Sequence, residues 1–122
     1  MSLNAERKTS AQLVEIITGL NTISRENGSS LWRDVAERLA SGRRRYSAVD
    51  LGKIERMCAD GDHVVVAGSV LGGGKLEKKV TISALKFSKQ AEGKISESGS
   101  KIMTLLECAS ENPKGSGIRV IR

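Results

Sequence analysis

The run His63-Val64-Val65-Val66-Ala67, bounded by Asp60-Gly61 before it and Gly68 after it, constrains this chain more than any other segment. β-Branched side chains suit a pleated backbone and crowd the turns of a helix, so the run predicts a buried strand. A second strand is predicted over residues 79 to 85, Lys-Val-Thr-Ile-Ser-Ala-Leu, where apolar and polar side chains alternate. Gly72-Gly73-Gly74 lies between the two and predicts a basic hairpin or loop. Ser88 opens a short helix that ends at Gly99, and residues 101 to 103 form a candidate strand. Thr104 with Glu107 caps another short helix that stops before Asn112-Pro113, and residues 118 to 121 close the chain as a strand.

Upstream the period changes. Thr9-Ser10-Ala11-Gln12 has capping-box spacing, and Leu13, Val14, Ile16, Ile17, Leu20 and Ile23 recur at helical intervals until Gly28. A second helix begins after Ser29-Ser30, places Trp32, Val35, Ala36 and Leu39 on one face, and stops near Gly42. Ser47 and Asp50 form a further box, followed by the stripe Leu51, Ile54, Met57 and Cys58, which Asp60-Gly61 ends. The expectation is an α/β chain forming one compact domain over residues 1 to 122. In it a mainly helical part, 1 to 60, packs on a small irregular sheet with short helices, 61 to 122. With 122 residues, 39% of them hydrophobic, the chain supplies one modest core without disulfide or metal staples.

Several function classes fall away. The longest purely apolar run, Val64 to Ala67, is far shorter than the ~20 residues that cross a bilayer. Ser2, Asn4, Glu6 and Arg7 at the start, with Glu15 and Thr18 interrupting the first apolar pattern, leave no signal-peptide core, so the cytosol is expected. Cys58 and Cys108 lie fifty positions apart outside any CxxC pair, and His63 is the sole imidazole. That argues against a structural zinc and reads the cysteines as small buried apolar side chains.

The charge of +6 comes in blocks: residues 33 to 56 hold seven basic and four acidic groups, and residues 75 to 94 hold six lysines against Glu77 and Glu92. A run of lysines on its own reads as a solvated face. Arg43-Arg44-Arg45 is different, because adjacent guanidiniums repel one another, offer forks of donors that match phosphate oxygens, and are relieved by a polyanion. Nucleic acid is therefore the leading partner class. A membrane surface would accept the charge, but no large apolar face flanks the triplet.

The glycine run does not make a nucleotide loop. A Walker motif using Lys75 requires glycine at 69 and a hydroxyl residue at 76, where this chain has Ser69 and Leu76. Asp60 and Asp62 stand near His63, yet no nucleophile motif accompanies them and a turn explains both carboxylates. These features predict a non-enzyme with no cofactor, no metal and no small-molecule substrate. Trp32 and Tyr46 are too few to build a base-stacking platform, and Trp32 falls at core spacing. Binding is expected to rest on phosphate contacts and shape, with bare glycine backbone allowing close approach to folded RNA.

SLWRDVAERL from residue 30, RRR at 43 to 45, DHVVVAGSVLGGGKLEKKVTI at 62 to 82 and the ending ENPKGSGIRVIR together resemble archaeal large-subunit ribosomal protein eighteen, the type shared with eukaryotes. The resemblance covers nearly the whole chain. It implies a structural component of the large ribosomal subunit in the cytoplasm, with an irregular α/β fold akin to bacterial ribosomal protein fifteen, whose partners are ribosomal RNA and neighbouring ribosomal proteins. Carried over by motif, the RNA-binding residues are Arg33, Arg43, Arg44, Arg45, Lys75, Lys78, Lys79, Lys114, Arg119 and Arg122, with Gly72, Gly73, Gly74, Gly115 and Gly117 as close-approach backbone. The alternative is a basic module that docks an acidic protein partner through the apolar stripe from Leu13 to Ile23.

Overall fold

Val64 and Val66 pack into one apolar cluster and Val65 and Ala67 into another, so the central strand is buried on both faces and the fold builds outwards from it. A strand with apolar side chains on both sides requires cover on both, the condition met by parallel sheets flanked by helices. A computed structural model of the chain describes residues 3–41 and 46–121, with the backbone alone for residues 3–12. In chain order its elements are α1 (Leu3–Asn27), α2 (Ser30–Ala40), β1 (Ser47–Asp50), α3 (Leu51–Met57), β2 (His63–Leu71), β3 (Thr81–Phe87), α4 (Lys89–Ser98), β4 (Lys101–Thr104), α5 (Leu105–Glu111) and β5 (Ile118–Val120).

The described strand pairings are all parallel, and the path runs β1, β2, β3, β4, with β5 also on β2. β5 pairs with residues 63 to 65 of β2 and β1 with residues 68 to 71, so the two short strands follow one another along the β2 edge opposite β3. Leu51 and Ile54 of α3 and Ala91 and Ile95 of α4 cover the face of Val64 and Val66. Leu20 of α1, the Trp32 face of α2, and Leu105, Cys108 and Ala109 of α5 cover the face of Val65 and Ala67. The result is an α/β sandwich of three layers.

The structure corrects the sequence reading in four places. α1 begins by Leu3, not at the Thr9 box, because Ala5, Glu6, Arg7 and Lys8 are strong helix formers and carry the helix upstream. Ser47 caps no helix: residues 47 to 50 extend along β2, and Asp50 is the cap, its carboxylate accepting from the Lys53 amide at 2.8 Å. β2 does not stop at Gly68 but runs on to Leu71, and β3 starts two residues later than the alternation suggested. Residues 72 to 80 are a crossover loop between parallel strands, which a hairpin cannot join. The later helices follow their caps: Ser88 accepts from the Ala91 amide, Gly99 ends α4 at φ 79°, and Thr104 and Glu107 complete a reciprocal box.

Candidate nucleic-acid interface

Ser29 sets the first corner of the molecule. Its hydroxyl accepts from the Trp32 amide as N-cap of α2 and donates to the Lys114 carbonyl at 3.2 Å. Trp32, fully buried, donates its indole N–H to the Asn112 carbonyl at 2.9 Å, and the Asn112 amide group closes the following turn onto the Ser116 carbonyl at 2.7 Å. Gly115 has φ 71° and lies so close to Leu31 that an added Cβ would sit 3.2 Å from the leucine Cβ. The ending Asn-Pro-Lys-Gly-Ser-Gly is thereby fastened to the first turn of α2, and Lys114 and Arg33 share this corner, both exposed. Between the end of α1 and the start of α2 opens a cleft of about 640 Å³, lined among others by Asn21, Arg25, Ser30, Arg33 and Glu37. Arg33 pairs with Glu37 at 3.2 Å, but with side chains 73% and 63% exposed the pair is worth at most about 1 kcal/mol.

On the opposite side of the sheet, where β2 ends, the glycine run packs on α3 and α4. The Gly52 amide donates to the Gly73 carbonyl at 3.0 Å, and Lys94 Nζ donates to the carbonyls of Gly72 and Gly74 at 2.7 and 2.8 Å. Gly74, at φ 79°, meets the Gly52 backbone where a Cβ would stand 2.7 Å from its Cα. Lys75 is exposed on this loop.

Lys78, Lys79 and Arg119 belong to neither place. Lys78 Nζ donates to the carbonyls of Glu55 and Cys58, both at 2.7 Å, and so ties the end of α3 to the crossover loop. Lys79 is exposed, its backbone amide held by Asp60 at 2.9 Å. Arg119 donates to Asp62 at 3.3 Å, while the same carboxylate accepts from the Ala59 amide at 2.9 Å; this amide bond first, and Arg119 with it, holds the Asp62 carboxyl below its ordinary value. Asp60 and Asp62 are thus turn and loop ligands, as the sequence suggested, and His63 sits exposed at the start of β2. Cys58 and Cys108 are buried on opposite sides of the sheet, and burial pushes both thiols up.

The cations named from the sequence therefore occupy more than one face. Arg33 and Lys114 come together with Gly115; Lys75 stands with Gly72 to Gly74; Lys78 is bonded inside the fold, and Arg119 pairs with Asp62 at the surface. Arg43, Arg44, Arg45 and Arg122 lie outside the described residues. Sequence reasoning missed Arg25, whose signal was its place in the last turn of the first helix, just before Gly28. It also missed Lys94, whose partners lie 22 and 20 residues away and left no local mark. The apolar stripe offered as a docking surface is largely core: Leu13, Ile16, Ile17 and Ile23 pack with buried Leu20, and only Val14 points away, 57% exposed.

The family described as ribosomal protein 60S L18 and 50S L18e matches residues 3–122. A protein of Thermoplasma acidophilum named large ribosomal subunit protein eL18 is 51% identical over 120 residues, covering 98% of this chain and all of the relative. Proteins of the same name from Picrophilus torridus and Haloarcula marismortui are each 44% identical, over 100% and 94% of this chain and 100% and 98% of their own lengths.

Proposed function

We propose that this chain, which belongs to the family of ribosomal proteins 60S L18 and 50S L18e, is a structural constituent of the large ribosomal subunit that grips folded ribosomal RNA by its phosphates. The observation that carries this reading is the extent of the family match, from residue 3 to residue 122, which takes in the α1–α2 cleft, the glycine loop and the C-terminal turn alike. A ribosomal protein of this family works by holding RNA and neighbouring proteins in place, and no bond is made or broken.

Arg33 and Lys114 at the α2 corner, Lys75 and Lys79 on the crossover loop and Arg119 on β5 are the phosphate contacts, with Arg43 to Arg45 and Arg122 added from the sequence. Arg25 joins them because it lines the same cleft as Arg33. Lys78 supports the loop, its ammonium already bonded to two carbonyls of α3 and the turn after it. Gly115 and Gly117 lie in the docked C-terminal turn and Gly73 and Gly74 at the end of β2, where backbone without side chains admits a phosphate closely; Gly72, also named from the sequence, is buried against Gln90 and is not such a contact.

The test is cosedimentation of the chain with large subunits through a high-salt gradient, followed by binding of large-subunit RNA at graded salt. Affinity is expected to fall steeply with salt, and changing Arg43 to Arg45 together to Gln is expected to reduce the log–log slope by about 2 to 3, one increment of ~0.7 to 0.9 per phosphate released. Absence from large subunits, or salt-independent binding, overturns the reading. Partners that survive nuclease would favour an acidic protein instead, for which the stripe of α1, partly buried against the core, leaves a reduced docking surface.

A further inference from the structure

In a trans peptide the C=O and the following N–H point in opposite directions, and no described peptide of this chain is cis. The carbonyls of Gly72 and Gly74 are turned to Lys94 and that of Gly73 to the Gly52 amide. The amides of Gly73 and Lys75 are therefore aimed away from Lys94, and that of Gly74 away from the first turn of α3. None of the amides of Gly73, Gly74, Lys75 and Leu76 donates to an acceptor among the described residues, whereas the next four, Glu77 to Val80, are bonded to Glu55, Asp60 and Ser100. Gly73, Gly74 and Lys75 are exposed. The carbonyls of Gly72, Gly73 and Gly74 are thus satisfied internally and a row of donors is left over beside a lysine, an arrangement complementary to an anion.

We propose that residues 73 to 76 form a preformed cradle for one phosphodiester of the RNA, with Lys75 as its charged ligand and Lys94 as the positioning residue that holds the carbonyls inwards. The inference rests on the RNA-binding reading above and adds to it a particular site and a particular ligand group. Lys94 touches no phosphate in this scheme; it acts through the loop. Because the clamps are in place in the chain by itself, the cradle exists before assembly.

Titration of the isotope-labelled full chain with inorganic phosphate, read by amide resonances, tests the site directly. Saturable shifts confined to Gly73, Gly74, Lys75 and Leu76 are expected in the wild type, lost in Lys94→Met and kept in Lys94→Arg, with the remaining spectrum unchanged. Shifts spread over the surface lysines, or the same saturation in Lys94→Met, overturn the proposal. Should Lys94→Met fail to fold, Lys75→Gln leaves the clamp intact and is expected to weaken phosphate saturation while the same four amides still respond; response elsewhere sinks it. In the RNA arm, Lys94→Met is expected to lower the salt slope of large-subunit RNA binding by ~0.7 to 0.9, making affinity about threefold less sensitive between 50 and 200 mM salt. Phosphate saturation with an unchanged RNA slope means the cradle serves a free anion, which overturns the RNA assignment. Wild-type chain that binds no large-subunit RNA at all fails the broader function, whatever the amides report.

Discussion

Trp32 has two roles that pull on different parts of the chain. Its ring, fully buried, fills the layer between α2 and the sheet, and its N–H holds the Asn112 carbonyl eighty residues away. The first role was legible from helical spacing with Val35, Ala36 and Leu39; the second was not, because nothing local marks a carbonyl as the partner of a distant indole. Trp32→Phe keeps most of the apolar contact but leaves that carbonyl unpaired, and is expected to cost about 2 to 4 kcal/mol in urea unfolding followed by circular dichroism. Hydrogen exchange should rise in the turn at 112 to 117 before it rises elsewhere. Glu55 makes a second test at this scale. One of its oxygens accepts from the amides of both Lys78 and Glu77 at 2.9 Å, and the Lys78 bond above all holds its carboxyl below the ordinary value. A carboxyl whose folded value lies below the unfolded one, about 4.3 for glutamate, stabilises the fold fully above that pH and loses the contribution as pH falls through the folded value. Glu55→Gln is expected to lower stability at neutral pH and to flatten the decline below about pH 4.3, and an unchanged acid limb would refute the linkage.

At the scale of elements, caps were the most readable signal and also the source of two errors, the Thr9 box inside α1 and the Ser47 box. Ser88 and Thr104 stand before helices as their spacing demands, but Ser47 matched the same pattern and opens a strand. The pattern is local, and here tertiary pairing with β2 outweighs it: residues 47 to 50 satisfy their backbone along residues 68 to 71, and Asp50 takes over the cap. Asp50→Ala is expected to cost about 0.5 to 2 kcal/mol, whereas Ser47→Ala should change stability by less than about 0.5 kcal/mol. Gly68 explains why β2 continues through a residue that reads as a terminator. A Cβ there would lie 2.0 Å from the Ser47 carbonyl oxygen, so glycine is present for the close passage of β1 and not to end the strand. Gly68→Ala is expected to destabilise by about 3 kcal/mol or more and to release β1 first, seen as early loss of amide protection at residues 47 to 50.

At the scale of the whole molecule, blocks of charge were visible in the sequence but their distribution over the surface was not, since that depends on which face each crossover takes. The α1–α2 cleft with Arg25 and Arg33 lies on the side of Val65, and the glycine loop with Lys75 packs on α3 and α4, whose side chains join Val64. The phosphate contacts proposed above sit on both sides of the sheet, and a single duplex face reaches one side only, so that proposal requires RNA already folded around the protein. Contacts made simultaneously at separate sites contribute to affinity independently, so their losses add. Arg25→Gln with Arg33→Gln is expected to lower the salt slope of large-subunit RNA binding by about 1.5, Lys75→Gln by ~0.7 to 0.9, and the triple variant by the sum. Losses in log affinity at fixed salt should add in the same way. If the triple variant is no worse than the double, the two sides take turns on one strand, and enclosure by a folded RNA is wrong.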